Sequence, residues 1–356
     1  MHKSMKERYR ATLIGSAIGD TLGMPVEGWK REQIAKYVPG GIREPIEPVI
    51  LRDASDKLIE SDEFGKLKYY TIDLKKGFWT DDTILTTALA ESIVREGDID
   101  LDDIAKRQLN EYIIRLHGDK VIGGFGRTTM EAFNRLQCGI SPLESGVIGG
   151  PGNGPAMKMS PLGLFMHATD SYESGLSDAE RIGKITHLDP RSVVSGVLQS
   201  HAVYSLLEDV SKESFLFSLK SLAENYEKPL AEEFNRRDAG DLKSKILWIY
   251  ENRNASDEDA LKFLKNDSLV MRSHPFALFM FQKYWHTPLN GLLKTVNAGG
   301  DCDTTGAIYG ALAGAKNGLF FPESWYDLLQ DNERIMAAAD GIYNLGKHLN
   351  PQWEGK

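Results

Sequence analysis

Near its start the chain contains the stretch Gly15-Ser16-Ala17-Ile18-Gly19-Asp20-Thr21-Leu22-Gly23-Met24-Pro25-Val26-Glu27. Its glycines Gly15, Gly19 and Gly23 recur every four residues, which places them on one face of a helix. Because glycine has no side chain, such a face is typical of close packing against other structure. Pro25 is expected to end the helix, and Glu27 follows as a lone acidic residue, a type that usually lies in solvent.

Most of the remaining chain also has helical spacing. Alternating patterns typical of strands are scarce, with 48–51 and 71–74 as the candidates. The stretch 40–78 breaks the helical rhythm, and we interpret it as a long, lid-like connection. We therefore predict an all-α fold in a single domain over residues 1–356. The clearest helices are predicted over 83–95, 100–116, 192–207, 256–264, 275–285 and 305–316.

The composition excludes several classes of protein. The chain has 356 residues, with 42 basic and 51 acidic side chains and a net charge of -9. Such a charge is unfavourable for nucleic-acid binding, which depends on Lys and Arg. The two cysteines, Cys138 and Cys302, are too few for a disulfide framework. No apolar run reaches about 18 residues, so we expect no membrane span and a cytoplasmic protein, with a monomer as the default state.

Glycine is concentrated in four clusters that lie far apart in sequence. They fall at 15–28, 123–126, 149–154 and 291–318. Glycine is useful where the backbone turns with positive φ or approaches a ligand closely. We therefore expect these clusters to form loops that converge on one site.

The first acidic cluster is Trp79-Thr80-Asp81-Asp82-Thr83, directly before a predicted helix. One interpretation is an N-cap, in which Thr80 or an aspartate accepts hydrogen bonds from free backbone N–H groups. A cap needs only one such residue. Two adjacent carboxylates repel each other, and the helix dipole offsets only about 0.3–1 kcal/mol of that repulsion. The second interpretation is therefore a divalent cation site.

The second acidic cluster is Asn297-Ala298-Gly299-Gly300-Asp301-Cys302-Asp303-Thr304-Thr305-Gly306. Its Asp-x-Asp-Thr pattern also occurs in phosphatases of the haloacid-dehalogenase type, but there it follows an apolar strand. Here the preceding 292–297 has the pattern of a helix end. A cap is again the alternative to a cation site. Carboxylate and hydroxyl oxygens are the ligands that Mg²⁺ and Mn²⁺ prefer, and the two clusters together hold enough of them for two ions.

Three further motifs contain residues suited to ligand binding. The loop 123–127 is glycine-rich, and its Phe125 suits stacking on a base or ribose. The loop 149–158 offers backbone N–H groups to phosphate, although it is neither a Walker loop nor a Rossmann fingerprint. Thr186-His187-Leu188-Asp189-Pro190 contains a single histidine, and such a histidine is more often structural than functional.

Taken in order, these segments resemble the ADP-ribosylglycohydrolase family. The resemblance rests on Gly19-Asp20-x-x-Gly23, Thr80-Asp81-Asp82, Gly152-Asn153-Gly154-x-Ala156-Met157 and Asp301-x-Asp303-Thr304, and it runs from about Arg10 to Gly318. Each motif alone is weak, whereas the combination is specific. The resemblance implies a helical bundle around a binuclear centre of two Mg²⁺ or Mn²⁺ ions.

The family pattern also implies roles for individual residues. Thr80, Asp81 and Asp82 match ligands of one ion. Asp301 and Thr304 match ligands of the other ion, and Asp303 matches the bridge between them. Glu27, Asp81, Asp82 and Asp303 are the implied catalytic residues. The implied contacts with ADP-ribose are Gly124, Phe125, Gly126, Arg127, Gly152, Asn153, Gly154, Met157 and His187. One departure is Leu188-Asp189-Pro190, where several relatives have a second histidine before the proline.

The implied activity is hydrolysis of the glycosidic bond between ADP-ribose and a modified side chain or small adduct. The implied partner is therefore an ADP-ribosylated protein or a small ADP-ribose adduct. All six ligand positions are filled, which favours an enzyme. Two alternatives stay open: a protein that only binds ADP-ribose or serves a structural role, as lens crystallins of the superfamily do, and a hydrolase of another nucleotide-derived glycoside.

Overall fold

Helices make up most of the structure, which we describe from a computed structural model for residues 3–48, 75–117, 120–235 and 241–349. Within these ranges the all-α prediction is confirmed. The helices are α1 (Met5–Gly23), α2 (Arg31–Tyr37), α3 (Asp81–Glu96), α4 (Leu101–Ile113), α5 (Arg127–Gln137), α6 (Gly154–Lys158), α7 (Ser160–Thr169), α8 (Tyr172–Lys184), α9 (Pro190–Leu207), α10 (Lys212–Glu233), α11 (Asp241–Glu251), α12 (Asp257–Leu264), α13 (Val270–Lys283), α14 (Pro288–Val296), α15 (Cys302–Asn317), α16 (Glu323–Leu328) and α17 (Asn332–Leu349).

Two pairs of two-residue strands accompany the helices. Strand β1 (Leu116–His117) pairs antiparallel with β2 (Lys120–Val121), and β3 (Val147–Ile148) pairs parallel with β4 (His187–Leu188). The second pair fixes His187 beside the glycine-rich loop that follows β3. In the part of the chain described here, no helix is both long and apolar enough to cross a membrane.

The predicted helices are all present, with small differences at their ends. Helix α4 stops at Ile113, three residues before the predicted end, and Leu116 pairs in β1 instead. Helix α13 starts at Val270, five residues before the predicted start, so Pro275 lies inside the helix and removes one of its i→i−4 hydrogen bonds. The strand candidate 71–74 and most of 48–51 lie outside the described residues, as does most of the predicted lid-like connection, 40–78.

Helices α1 and α15 lie in backbone contact, and the glycine spacing explains why. A methyl group added at Gly19 would lie 1.9 Å from the carbonyl oxygen of Gly306, and one added at Gly310 would lie 1.9 Å from that of Gly15. Gly23 in turn lies against Asp303. The order of these contacts shows that the two helices run antiparallel. The end of α1 therefore lies beside the start of α15, where the second acidic cluster is found.

The start of α3 is held on α1 by a buried carboxylate, Asp20. Its oxygens accept hydrogen bonds from the backbone N–H of Thr80 at 2.9 and 3.0 Å and from that of Thr83 at 3.1 Å. They also accept one from the Thr83 hydroxyl at 2.6 Å. The end of α1 and the starts of α3 and α15 therefore meet at one place. The prediction of one domain stays a prediction, although the buried apolar side chains form a single cluster that extends from Met5 to Tyr343.

Candidate active site

A cavity of about 800 Å³ opens where these helix ends meet. Fifteen of the sixteen residues predicted to form the site line this cavity, and Thr80 is the exception. Thr80 is fully buried at the N-cap of α3 behind the cavity wall. The predicted residues that line the cavity are Glu27, Asp81, Asp82, Gly124, Phe125, Gly126, Arg127, Gly152, Asn153, Gly154, Met157, His187, Asp301, Asp303 and Thr304.

Acidic side chains from separate parts of the chain form a cluster in this cavity. Glu27, Asp301 and Asp303 each place a carboxylate oxygen within 4.8 Å of the others. Glu27 follows the short 3-10 turn Met24–Val26, as Pro25 predicts, and both aspartates stand at the start of α15. Three carboxylates at this separation repel one another strongly unless protons or cations neutralise them.

Asp82 links the two acidic clusters. Its Oδ2 accepts hydrogen bonds from the hydroxyl of Thr80 at 3.2 Å and from that of Thr304 at 3.3 Å. Its Oδ1 is buried and has no hydrogen-bond partner among the described residues. Burial, followed by the charges of Asp20, Asp81 and Asp301, raises the pKa of Asp82 well above its ordinary value. A buried carboxylate oxygen without a donor, surrounded by further carboxylates and hydroxyls, fits a divalent cation.

Asp301 is oriented by Asn153. The side-chain amide of Asn153 donates to Asp301 Oδ2 at 2.7 Å and to the Ser273 hydroxyl at 3.0 Å. Asn153 was predicted to contact substrate. It does line the cavity, but its amide nitrogen is engaged with protein atoms, so its clearest effect is to position the carboxylate of Asp301.

The two glycine-rich loops line the cavity for different reasons. In the loop 123–126, Gly123 and Gly124 have φ values of 108° and 84°, and Gly126 stands at the N-cap of α5. Because Gly126 has no side chain, it leaves the first N–H groups of α5 without a side-chain cap. Phe125 is nearly buried and contacts Tyr112 edge-on, with ring centroids 5.3 Å apart. Much of the Phe125 ring, which was predicted to stack on a base, therefore packs in the core.

In the second loop, glycine makes room for His187. A methyl group added at Gly152 would lie 2.8 Å from Nε2 of His187, and one added at Gly154 would lie 2.7 Å from Cε1. The imidazole thus lies against backbone that only glycine permits. Asp189, where several family members have histidine, caps α9 by accepting from the backbone N–H of Arg191 at 3.0 Å.

The expectation that four glycine clusters converge on the site holds in part. The clusters at 123–126 and 149–154 line the cavity. The glycines of 15–28 and 291–318 mainly allow α1 to contact α15, or form the turn in which Gly299 and Gly300 have positive φ. They act on the site indirectly, because they bring Glu27 beside Asp301 and Asp303.

Sequence reasoning missed several residues at or behind the cavity. Asp20 belongs to the motif Gly19-Asp20-x-x-Gly23, and an aspartate in a helix of small and apolar residues is itself a signal of a buried, bonded charge. Ser273 gave no local signal, since it acts through a residue distant in sequence. Thr128, Thr129, Ser268 and Leu269 line the cavity and were also not predicted.

The fold and the site together define a class of protein: an all-α protein with a carboxylate-rich cavity at converging helix ends. The sequence model of the family described as ADP-ribosylglycohydrolase matches residues 1–351. The chain therefore belongs to the ADP-ribosylglycohydrolase family, which confirms the resemblance seen in its motifs.

Individual relatives agree with this assignment. The chain is 26% identical to ADP-ribosylhydrolase ARH3 of Gallus gallus, over 95% of this chain and 93% of that protein. It is 25% identical to ADP-ribosylarginine hydrolase Tri1 of Serratia proteamaculans, over 95% of this chain and 80% of that protein. A solved structure titled ADP-ribosylglycohydrolase-related protein complex matches with a TM-score of 0.70 and 26% identity, covering 97% of this chain and 100% of that one.

Proposed function

We propose that this protein is a divalent-cation-dependent hydrolase that cleaves the glycosidic bond between ADP-ribose and a modified side chain or small adduct. Membership of the family and the named activities of ARH3 and Tri1 support this class of substrate. The observation that carries the proposal is the cavity that holds the Glu27, Asp301 and Asp303 carboxylates together with Asp82, whose buried Oδ1 has no hydrogen-bond partner among the described residues.

In this proposal the cluster holds two Mg²⁺ or Mn²⁺ ions. Thr80, Asp81 and Asp82 would hold one ion, Asp301 and Thr304 would hold the other, and Asp303 would serve both. The cavity side chains that meet there are oxygen donors, which suits these ions. A bound divalent ion supplies Lewis-acid stabilisation of negative charge during the reaction. Asn153 orients Asp301, and Asp20 holds the backbone that carries Thr80 and Asp81.

The cavity has the size and the donors for a diphosphate-containing ligand. About 800 Å³ lies within the usual range of small-molecule sites. The chain carries a net charge of -9, so attraction for a diphosphate has to be local. The first N–H groups of α5, which have no side-chain cap among the described residues, supply such local donors beside the cavity together with Arg127 and the hydroxyl of Thr128.

The acidic side chains also provide the acid–base chemistry that glycoside hydrolysis requires. Cleavage passes through an oxocarbenium-like transition state, with water attacking the anomeric carbon and the leaving group taking a proton. Asp81, Asp82 or Asp303 positions the attacking water and accepts its proton. Glu27 is less buried than these aspartates and stands at the edge of the cluster, so it is placed to exchange protons with the leaving group.

The test is release of free ADP-ribose from peptides ADP-ribosylated on arginine or on serine, followed by chromatography. Each peptide is incubated with the protein in Mg²⁺, in Mn²⁺ and in EDTA. We expect metal-dependent release from at least one peptide. Binding of ADP-ribose without release from any adduct would instead indicate a binding protein, and release in EDTA would exclude cation dependence.

A further inference from the structure

A chain of buried polar groups runs behind the cavity to His187. The ammonium group of Lys158 is fully buried and donates to Gln108 Oε1 at 3.0 Å and to the hydroxyl oxygen of Thr186 at 3.3 Å. The same hydroxyl lies 2.9 Å from Nδ1 of His187. The pairing of β3 with β4 fixes the backbone of this segment, since Val147 donates its N–H to the carbonyl of Thr186 at 3.2 Å.

The direction of these hydrogen bonds follows from what each group is able to donate. An ammonium group has three donors and no acceptor, so Thr186 has to accept from Lys158. The Thr186 hydroxyl then has one proton left, and Nδ1 of His187 is its remaining partner among the described residues. If Nδ1 itself carried a proton, it would donate to the Thr186 oxygen, and the hydroxyl proton would be buried without an acceptor among the described residues.

We propose that Lys158 and Thr186 are positioning residues that hold His187 as the neutral tautomer protonated on Nε2, so that the ring presents an N–H donor to the cavity. Nε2 lies on the ring edge opposite Nδ1, against Gly152, and His187 lines the cavity. A donor at this place suits an anionic or hydroxyl oxygen of a ligand and does not suit a cation. Use of that donor on ADP-ribose rests on the proposed function, whereas the tautomer does not.

The pKa values of His187 and Lys158 agree with this arrangement. Burial and the nearby charge of Lys158 lower the pKa of His187 to about 3, so the ring is neutral at ordinary pH. Burial lowers the pKa of Lys158 to about 7, against the opposing effect of Asp81. At pH 6, Lys158 is therefore mainly charged and His187 is neutral.

The tautomer is measured by long-range ¹H–¹⁵N correlation on the full-length protein labelled at histidine, at pH 6, with His187→Gln to assign the signal. The matched pair of variants is Thr186→Val, which removes the hydroxyl, and Thr186→Ser, which keeps it. Lys158→Met removes the charge and keeps the approximate length of the side chain. Signals of the other histidines report whether each variant is folded.

We expect a proton on Nε2 and a bare Nδ1 in the unaltered protein and in Thr186→Ser. Thr186→Val and Lys158→Met should each give a mixture of both tautomers. A proton on Nδ1 in the unaltered protein overturns the proposal, as does the unaltered pattern in both Thr186→Val and Lys158→Met.

Whether the Nε2–H of His187 donates to ADP-ribose is tested separately, by calorimetric titration of the protein with ADP-ribose in Mg²⁺. We expect about tenfold weaker binding for Thr186→Val and a change of less than about threefold for Thr186→Ser, the effect of one hydrogen bond. Equal affinities in the two variants would contradict the use of the donor on this ligand. Failure of every peptide to release ADP-ribose would contradict the proposed function and leave the tautomer result intact.

Discussion

Two regions that meet at the end of α1 are built on opposite principles. In the α1–α15 interface, backbone touches backbone, and glycines such as Gly19 and Gly306 are present because nothing larger fits. In the adjoining cavity, carboxylates are crowded together, and burial with mutual repulsion raises the pKa of Asp82. Packing alone explains the first region. The second opposes folding once its carboxylates ionise, so its composition points to a function.

The same helix serves both regions. The first turn of α15 carries Asp303 and Thr304 into the cavity, and Gly306, Gly310 and Gly314 follow on its packed face. Because the helices pack tightly, the first turn of α15 has little freedom to move relative to Glu27. The interface therefore provides the rigidity that a cluster of like charges needs in order to stay assembled.

The largest expected effect is from a methyl group in the interface. Alanine is the better helix former by about 1 kcal/mol, but a Cβ at Gly19 would lie 1.9 Å from a backbone oxygen on α15. We expect Gly19→Ala to lower the free energy of unfolding by about 3 kcal/mol or more, because helix backbone cannot move aside. Urea unfolding measures this change.

The control for this change is Gly126→Ala. No atom lies within 4 Å of a Cβ at that glycine, whose φ of -66° suits any residue. We expect the free energy of unfolding to change by less than about 1 kcal/mol. Equal stability of Gly19→Ala and Gly126→Ala would show that the interface is not determined by packing.

Glu27→Gln should affect catalysis and leave the fold unchanged. Loss of one acid–base group lowers kcat by roughly 10²–10⁴-fold, so residual turnover should remain. The free energy of unfolding should change by less than about 0.5 kcal/mol, since Glu27 is only half-buried. The comparison is Glu32→Gln, which alters an exposed acid on α2 and should keep full activity. Unchanged kcat in Glu27→Gln would remove Glu27 from the reaction.

The smallest expected effects are two changes in the free energy of unfolding that differ in sign. They distinguish a carboxylate that serves function from one that stabilises the fold. Burial alone would raise the pKa of Asp103, but hydrogen bonds from Ser92 and Arg107 outweigh it and lower the pKa. In EDTA at pH 7.5 we expect Asp103→Asn to lower the free energy of unfolding by about 1 kcal/mol and Asp82→Asn to raise it by about as much. Thermal unfolding of both variants measures the difference, and a loss of stability in both would make Asp82 a structural residue.

The helices and the positions where they start follow from the local sequence pattern. The four-residue spacing of Gly15, Gly19 and Gly23 predicts a packed helical face, and each acidic cluster is indeed at a helix start. Thr80 shows that the two interpretations of the first cluster are compatible. It is the N-cap of α3, and its hydroxyl also lies beside the carboxylate of Asp82.

Contacts between residues that are distant in sequence do not follow from local sequence pattern. Periodicity shows that Gly19 packs closely but not that its partner is Gly306, nearly three hundred residues away. The bond from Asn153 to Asp301 and the fit of His187 against Gly152 are likewise set by tertiary contacts. For this reason the loop 149–154, predicted to cradle phosphate, is explained in the structure first by the imidazole that its glycines accommodate.

We infer that the carboxylate cavity holds divalent cations. Equilibrium dialysis of the EDTA-treated protein against Mn²⁺ at pH 7.5 tests it most directly, with Asp303→Ala measured alongside. We predict two ions bound per chain in the unaltered protein and at most one in Asp303→Ala. No bound Mn²⁺ in the unaltered protein, or equal binding by both, would contradict the claim.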